Sequence, residues 1–187
     1  MSENVTPILH ALYHGKTEEA RQLAEREPNL SIGEAAALGD LARVQSLLAN
    51  DPSLLDSRTA DGFPALGLAI FFRQPAVARF LIEQGADVNA AAENAQKVRP
   101  LHAAAAVQDR ETLELLLARG ADPNVKQQLD YTPLHGAASR GDIEMAKLLL
   151  RHGADRSAKG SDGMSVADIA TKYGHPEFAE WITREEG

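Results

Sequence analysis

The chain repeats itself at intervals of 33 to 35 residues. The segment YTPLHGAASRGD at 131–142 is followed by LLL at 148–150 and by GAD at 153–155. The same pieces occur 33 residues earlier, as RPLH, LLL and GAD, and again 35 residues before that, as PALG, FLI and GAD. A fourth copy begins with SVAD at 165–168. A fixed period of this length predicts an array of similar units that are stabilised by stacking on one another.

The amino-terminal third repeats with a shorter period. A shift of 24 residues places Gly15 on Gly39, and GDLARVQSLL at 39–48 aligns with the segment that begins at Gly141. These residues predict two abbreviated helical pairs without the hairpin that precedes the first helix in the later copies. The whole chain, 1–187, is therefore predicted to be one domain of six units. The predicted units are 6–29, 30–57, 60–92, 97–127, 130–160 and 163–184.

Each full unit predicts two helices. Thr132 is placed to cap the first helix through its hydroxyl, and Pro133 has the fixed φ that suits the first helical position. This helix is expected to end near Gly141. The second helix, 143–151, has apolar residues at the spacing of one buried face and is expected to end at Gly153. The polar stretch 155–162 then predicts a projecting loop or hairpin.

These motifs resemble ankyrin repeats. TPLH at 132–135, the GAD junctions and DVNA at 87–90 match the consensus of that family in the expected register, specifically over 60–184 and more loosely over 1–59. Departures from the consensus are PALG at 64–67, Arg99 in place of threonine and Asp168 in place of histidine. The resemblance implies an all-α ankyrin-repeat solenoid of stacked helix-turn-helix units with projecting hairpin loops. It also implies that His102 and His135 bind backbone between repeats and are structural.

Composition excludes several functional classes. No run of residues approaches the roughly 20 apolar residues of a bilayer-spanning helix. The net charge of −8 would repel the phosphates of nucleic acids and anionic lipids. The absence of cysteine excludes thiolate metal sites and cysteine nucleophiles. Because the first residues contain no signal-peptide pattern, a cytoplasmic location is expected.

Catalytic motifs are absent from the sequence. It has no nucleophile elbow, no phosphate-binding glycine loop, no HExxH and no dinucleotide fingerprint, so we expect a protein that is not an enzyme, with no cofactor or metal. One alternative is a metal-dependent enzyme that uses His10, His14 and Glu18. Gly15 argues against it, because a turn at this glycine would place Glu18 on a different helix.

Surface recognition is the remaining interpretation. The resemblance implies that this chain is a scaffold that binds a partner protein, as an inhibitor or adaptor, across the hairpin loops and the exposed ends of the first helices. The residues at those positions are mostly apolar or aromatic, which is typical of interaction sites. They are Phe63, Phe71, Phe72, Val98, Val107, Tyr131, Arg140, Met164 and Tyr173. Two alternatives remain open: these side chains close a homodimer, although a monomer is favoured, or they fill local gaps.

Overall fold

The computed structural model describes residues 5–184, and within them it has twelve α-helices in six consecutive pairs and only isolated β-bridges. The all-α repeat fold predicted from the sequence is confirmed. The helices are α1 (Pro7–Tyr13), α2 (Thr17–Arg26), α3 (Ile32–Leu38), α4 (Leu41–Asn50), α5 (Ala65–Phe71), α6 (Pro75–Glu83), α7 (Pro100–Ala106), α8 (Arg110–Ala118), α9 (Pro133–Arg140), α10 (Ile143–Arg151), α11 (Val166–Lys172) and α12 (Pro176–Thr183).

The helices divide between two compact units. The amino-terminal unit, Met1–Asn94, contains α1 to α6, and the carboxyl-terminal unit, Ala95–Gly187, contains α7 to α12. In the amino-terminal unit α3 contacts α1, α2, α4 and α5. In the carboxyl-terminal unit α9 contacts α7, α10 and α11. The first helix of each pair therefore joins neighbouring pairs within its unit.

Small residues allow the first helices to pack closely. The sequence of α3 is IGEAAAL and that of α7 is PLHAAAA, and their alanines are almost all fully buried. The larger core side chains come from both helices of the pairs, with Leu66 and Leu134 on first helices and Leu113, Met145 and Leu149 on second helices buried completely. Burial of these apolar faces against neighbouring pairs provides the main driving force for folding.

The helix boundaries follow the predicted caps. Thr132 is the N-cap of α9, and His135 completes the cap, because its Nδ1 accepts a hydrogen bond from the Thr132 backbone N–H at 3.2 Å. The helix ends at Gly141, which has the left-handed φ of +65° that glycine adopts without strain. Ser31 and Glu34 form a capping box at α3, so a polar cap replaces the missing hairpin.

Hairpin loops project before four of the first helices. Antiparallel bridges join Arg58 to Pro64 and Lys159 to Ser165. In the carboxyl-terminal unit neighbouring loops are tied by backbone hydrogen bonds of 2.9 Å, from Gln128 N–H to the Gln96 carbonyl and from Ser161 N–H to the Leu129 carbonyl. The loops therefore form a connected edge beside the first helices of that unit.

No helix in the part of the chain that the structure describes combines the length and the apolar character needed to cross a bilayer.

Candidate interaction surface

Three aromatic rings form a partly exposed patch on the amino-terminal unit. The ring centroids of Tyr13 and Phe72 are 5.3 Å apart, those of Tyr13 and Phe71 are 6.1 Å apart, and those of Phe71 and Phe72 are 5.1 Å apart in an edge-on arrangement. Tyr13 is 36% exposed and Phe71 is 46% exposed. We call these three residues the aromatic patch. Mutual ring contacts of this kind fix side-chain orientation while leaving apolar surface in water.

The patch exists because two first helices that are not consecutive bring their ends together. Tyr13 lies two residues before the left-handed residue Gly15 that follows α1, and Phe71 lies two residues before the left-handed residue Arg73 that follows α5. The corresponding residue of α3, between them in the repeat order, is the fully buried Ala37. A methyl group at this position leaves room for the two rings to meet. Tyr13 was not among the surface residues predicted from the sequence, although the 24-residue alignment that pairs Gly15 with Gly39 identifies its position.

A hairpin loop anchors the tyrosine of the patch. The Tyr13 hydroxyl donates a hydrogen bond of 2.9 Å to Asp61 Oδ2, and Thr59 donates to the other oxygen of the same carboxylate. Burial, with this hydrogen bond and the negative charge of Asp61, raises the pKa of Tyr13 well above its usual value. Phe63 of the same loop and Phe72 pack against the buried cluster that includes Leu12. The patch is therefore supported from below by the core.

In the carboxyl-terminal unit Tyr131 connects two hairpin loops. Its hydroxyl donates a hydrogen bond of 2.7 Å to Asp162 Oδ2, and its ring stacks on His135 with centroids 5.0 Å apart. The other loop approaches the ring so closely that a Cβ added to Gly160 would lie 2.3 Å from Tyr131 Cε1. Burial and the hydrogen bond to Asp162 raise the pKa of Tyr131 to about 12. The Tyr131 hydroxyl also contacts the sulfur of Met164. Tyr131 and Met164 are therefore half-buried between the hairpin loops.

The remaining predicted surface residues of this unit differ in exposure. Tyr173 is 57% exposed at the end of α11, Arg140 is exposed at the end of α9, and Val98 is half-buried. Val107 was expected at an exposed helix end, and this expectation is wrong: the side chain is 8% exposed, and Ala106 takes the exposed position. Val107 is the C-cap residue of α7, as Tyr173 is of α11, so the side chain itself and not the helix end decides burial: the small apolar valine packs into the core, whereas the tyrosine remains exposed.

His102 has the structural position that the family resemblance implies. Its Nε2 donates a hydrogen bond of 3.1 Å to the carbonyl of Tyr131 in the next repeat, and its Nδ1 accepts from the Arg99 N–H. Burial lowers the pKa of this imidazole to about 4. Burial also lowers the pKa of His135, which lies in the same position of the following repeat. Both rings are therefore neutral at pH 7.

The amino-terminal histidines are close to each other but are separated from Glu18 by a helix boundary. The rings of His10 and His14 have centroids 4.3 Å apart, and His14 Nδ1 donates a hydrogen bond of 2.8 Å to the His10 carbonyl. Glu18 lies in α2, after the turn at Gly15, as the sequence indicated. Between residues 5 and 184 no three histidine, aspartate or glutamate side chains are grouped so that they could hold a metal ion.

Comparisons with known proteins identify the family of this chain. A curated protein of Serratia liquefaciens, Protein PhlB, is 35% identical to this chain over 98 residues, which are 52% of this chain and 41% of that protein. The match thus spans about two fifths of that relative's own length. The family model described as ankyrin repeats in three copies matches residues 32–127 and 101–187. These matched residues include five of the six helix pairs, and the chain belongs to the ankyrin-repeat family.

Proposed function

We propose that this chain is a non-catalytic module that binds a partner protein and that the aromatic patch of the amino-terminal unit is a central part of its binding surface. Ankyrin repeats generally mediate protein–protein interaction. The proposed module acts on its partner as an inhibitor or adaptor, and a monomer is its functional form.

One observation supports this proposal above the others: Tyr13 and Phe71 are exposed at 36% and 46% although they contact each other. Interface hot spots are enriched in tyrosine and other large aromatic residues, and rigid side chains lose little conformational entropy when a partner binds. Tyr131 and Met164 contribute less exposed surface, because their contacts with Asp162 and each other hold them in the loops. We therefore expect the aromatic patch to contribute more binding energy than the carboxyl-terminal loops.

The test is affinity capture from a lysate of the source organism with the wild type and with Phe71→Asp, followed by mass spectrometry of the bound proteins. The matched control is Gln45→Asp, which introduces the same charge at an exposed position of α4 in the same unit. Circular dichroism first establishes that all three proteins are folded.

The expected result is a specific protein that is retained by the wild type and by Gln45→Asp and is lost with Phe71→Asp. Equal capture by all three folded proteins would show that the patch is not the binding surface. Sedimentation of the wild type at several concentrations tests the homodimer alternative, and a mass that rises to twice that of the chain would replace hetero-recognition by self-association.

A further inference from the structure

The aromatic patch lies on the more acidic of the two units. The amino-terminal unit has 7 lysine and arginine residues and 13 aspartate and glutamate residues, a net charge of −6 out of the −8 of the whole chain. Arg73, which follows Phe72, is a cationic residue at the edge of the patch. Asp61 is an anionic residue that accepts a hydrogen bond from Tyr13 of the patch. Over the whole unit the negative charge prevails. A surface with this field attracts cationic partners and increases their association rate.

The same charge argues against a second copy of the chain as the occupant. Two amino-terminal units facing each other through their patches would bring net charges of −6 together at short distance. An anionic partner would meet the same repulsion. The apolar part of the surface must nevertheless be covered by apolar side chains if the binding energy of the exposed rings is to be used.

We propose that the aromatic patch binds a cationic segment of a protein that presents apolar side chains, such as a basic amphipathic helix. This inference rests on the proposed function and specifies the chemistry of the partner. The apolar side chains of that segment pack on Tyr13 and Phe71, and its lysine or arginine side chains lie in the negative field of the amino-terminal unit. Both contributions are needed, because the rings select the apolar face and the field selects the sign of the charge.

A pair of model peptides tests the two contributions separately. One is a fluorescein-labelled amphipathic helix of leucine and lysine, and the other has glutamate in place of every lysine. Fluorescence anisotropy with the full chain measures the Kd of each at about 0.05 M and about 0.5 M salt, where the screening lengths differ roughly threefold. We expect the Leu/Lys peptide to bind at least about tenfold more tightly than the Leu/Glu peptide at low salt, with the difference reduced at high salt.

Three variants locate the binding. Phe71→Ser is expected to weaken binding of the Leu/Lys peptide by about tenfold or more, as for an interface hot spot. Leu129→Ser is the matched control, because it removes a large apolar side chain of similar exposure, 51%, from the carboxyl-terminal unit, and it is expected to leave the Kd within about twofold. Arg73→Glu adds negative charge beside the patch and is expected to tighten binding severalfold at low salt.

The proposal is overturned if both peptides bind equally, if Phe71→Ser and Leu129→Ser have the same effect, or if Arg73→Glu weakens binding. Such results can be separated from a failure of the proposed function. If the captured protein is lost with Phe71→Asp while the Kd of the Leu/Lys peptide is unchanged by Phe71→Ser, the patch is an interaction site and its partner is not cationic. If neither depends on Phe71, the binding site lies elsewhere.

Discussion

The guanidinium of Arg110 donates hydrogen bonds to the buried carboxylate of Asp142 in the next repeat, with Nη2 at 2.7 Å from Oδ1 and Nε at 3.1 Å from both oxygens. Asp142 Oδ1 also accepts a hydrogen bond of 3.0 Å from the Met145 N–H at the start of α10. One carboxylate therefore caps a helix and joins two repeats of the carboxyl-terminal unit.

Replacement of this carboxylate should destabilise the fold. We expect Asp142→Ala to lower the free energy of unfolding by about 2 kcal/mol, because it removes both the helix cap and the ion pair. Arg110→Ala should have a smaller effect, since the cap remains and the arginine side chain is 54% exposed. Urea unfolding of both variants measures the difference, and an equal loss for the two would show that the cap contributes nothing.

His102 should make the fold sensitive to acid. Its pKa is about 4 in the folded protein, against a usual value of 6.5 when exposed. Between these values the unfolded chain binds a proton that the folded chain does not, so stability is complete above pH 6.5 and falls as the pH is lowered, by about 1.4 kcal/mol per pH unit. Unfolding in urea at several pH values should show a shallower pH dependence for His102→Gln than for the wild type. Parallel curves would contradict this assignment.

Tyr131 should contribute to the loss of stability in alkali. Its folded pKa of about 12 exceeds the usual 10.0, so the folded chain retains a proton that the unfolded chain loses between these values. This contribution is present below pH 10 and disappears as the pH rises through 12. The difference between the absorbance titrations of the wild type and Tyr131→Phe should show one phenol that ionises near pH 12. In Asp162→Asn the same phenol should ionise at lower pH, and an unchanged midpoint would exclude Asp162 as a cause.

Gly160 should tolerate no side chain while Tyr131 is present. We expect Gly160→Ala to destabilise the fold by about 1–3 kcal/mol, because its Cβ would overlap the tyrosine ring and the ring would have to leave Asp162 and His135. The double variant Tyr131→Ala/Gly160→Ala provides the control. If the overlap with the ring is the main cause, thermal unfolding should show that adding Gly160→Ala to Tyr131→Ala costs much less than it costs the wild type, because only the approach of 2.6 Å to Asp162 Oδ1 remains.

Arg73 should be replaceable by glycine with a gain in stability. Its φ of +57° lies in the left-handed region, which the corresponding residues Gly15, Gly39 and Gly141 adopt without strain. We expect Arg73→Gly to raise the free energy of unfolding by about 0.5–1 kcal/mol, since the relief of strain exceeds the added entropy of the unfolded chain. Gln108, with a φ of +58°, offers an independent site, and Gln108→Gly should behave alike. Lower melting temperatures for both variants would show that their side chains contribute contacts worth more than the strain.

The repeat period was sufficient to predict the fold and several of its details. Gly141 and Gly153 mark the ends of α9 and α10 because a left-handed residue is needed there, and this need can be recognised in a sequence. The burial of Val107 could not be recognised in the same way. Tyr173 follows α11 in the same position, also just before a left-handed residue, and is 57% exposed, so the repeat position alone does not decide whether this side chain is buried.

The candidate surface was only partly predictable for a related reason. Phe71 was identified by its place in the repeat, but its contact with Tyr13 depends on the absence of a large side chain at Ala37, one repeat away from each. Periodicity describes what the repeats share, whereas this contact arises from what one of them lacks. Likewise, the loop contacts that hold Tyr131 depend on Gly160 and Asp162 in the following loop.

Because Ala37 lies in the helix pair between those of Tyr13 and Phe71, the aromatic patch depends on the number of repeats at this end of the chain. Tyr13 and Phe71 lie on the first and third helix pairs, and the corresponding residue of the second pair is the small, buried Ala37. Duplication or loss of a whole repeat normally preserves the core of such an array, because each unit packs only on its neighbours. Here it would separate the two rings or remove the space between them. Evolution of this protein by repeat gain or loss within its first three helix pairs would thus keep a folded chain and erase the patch.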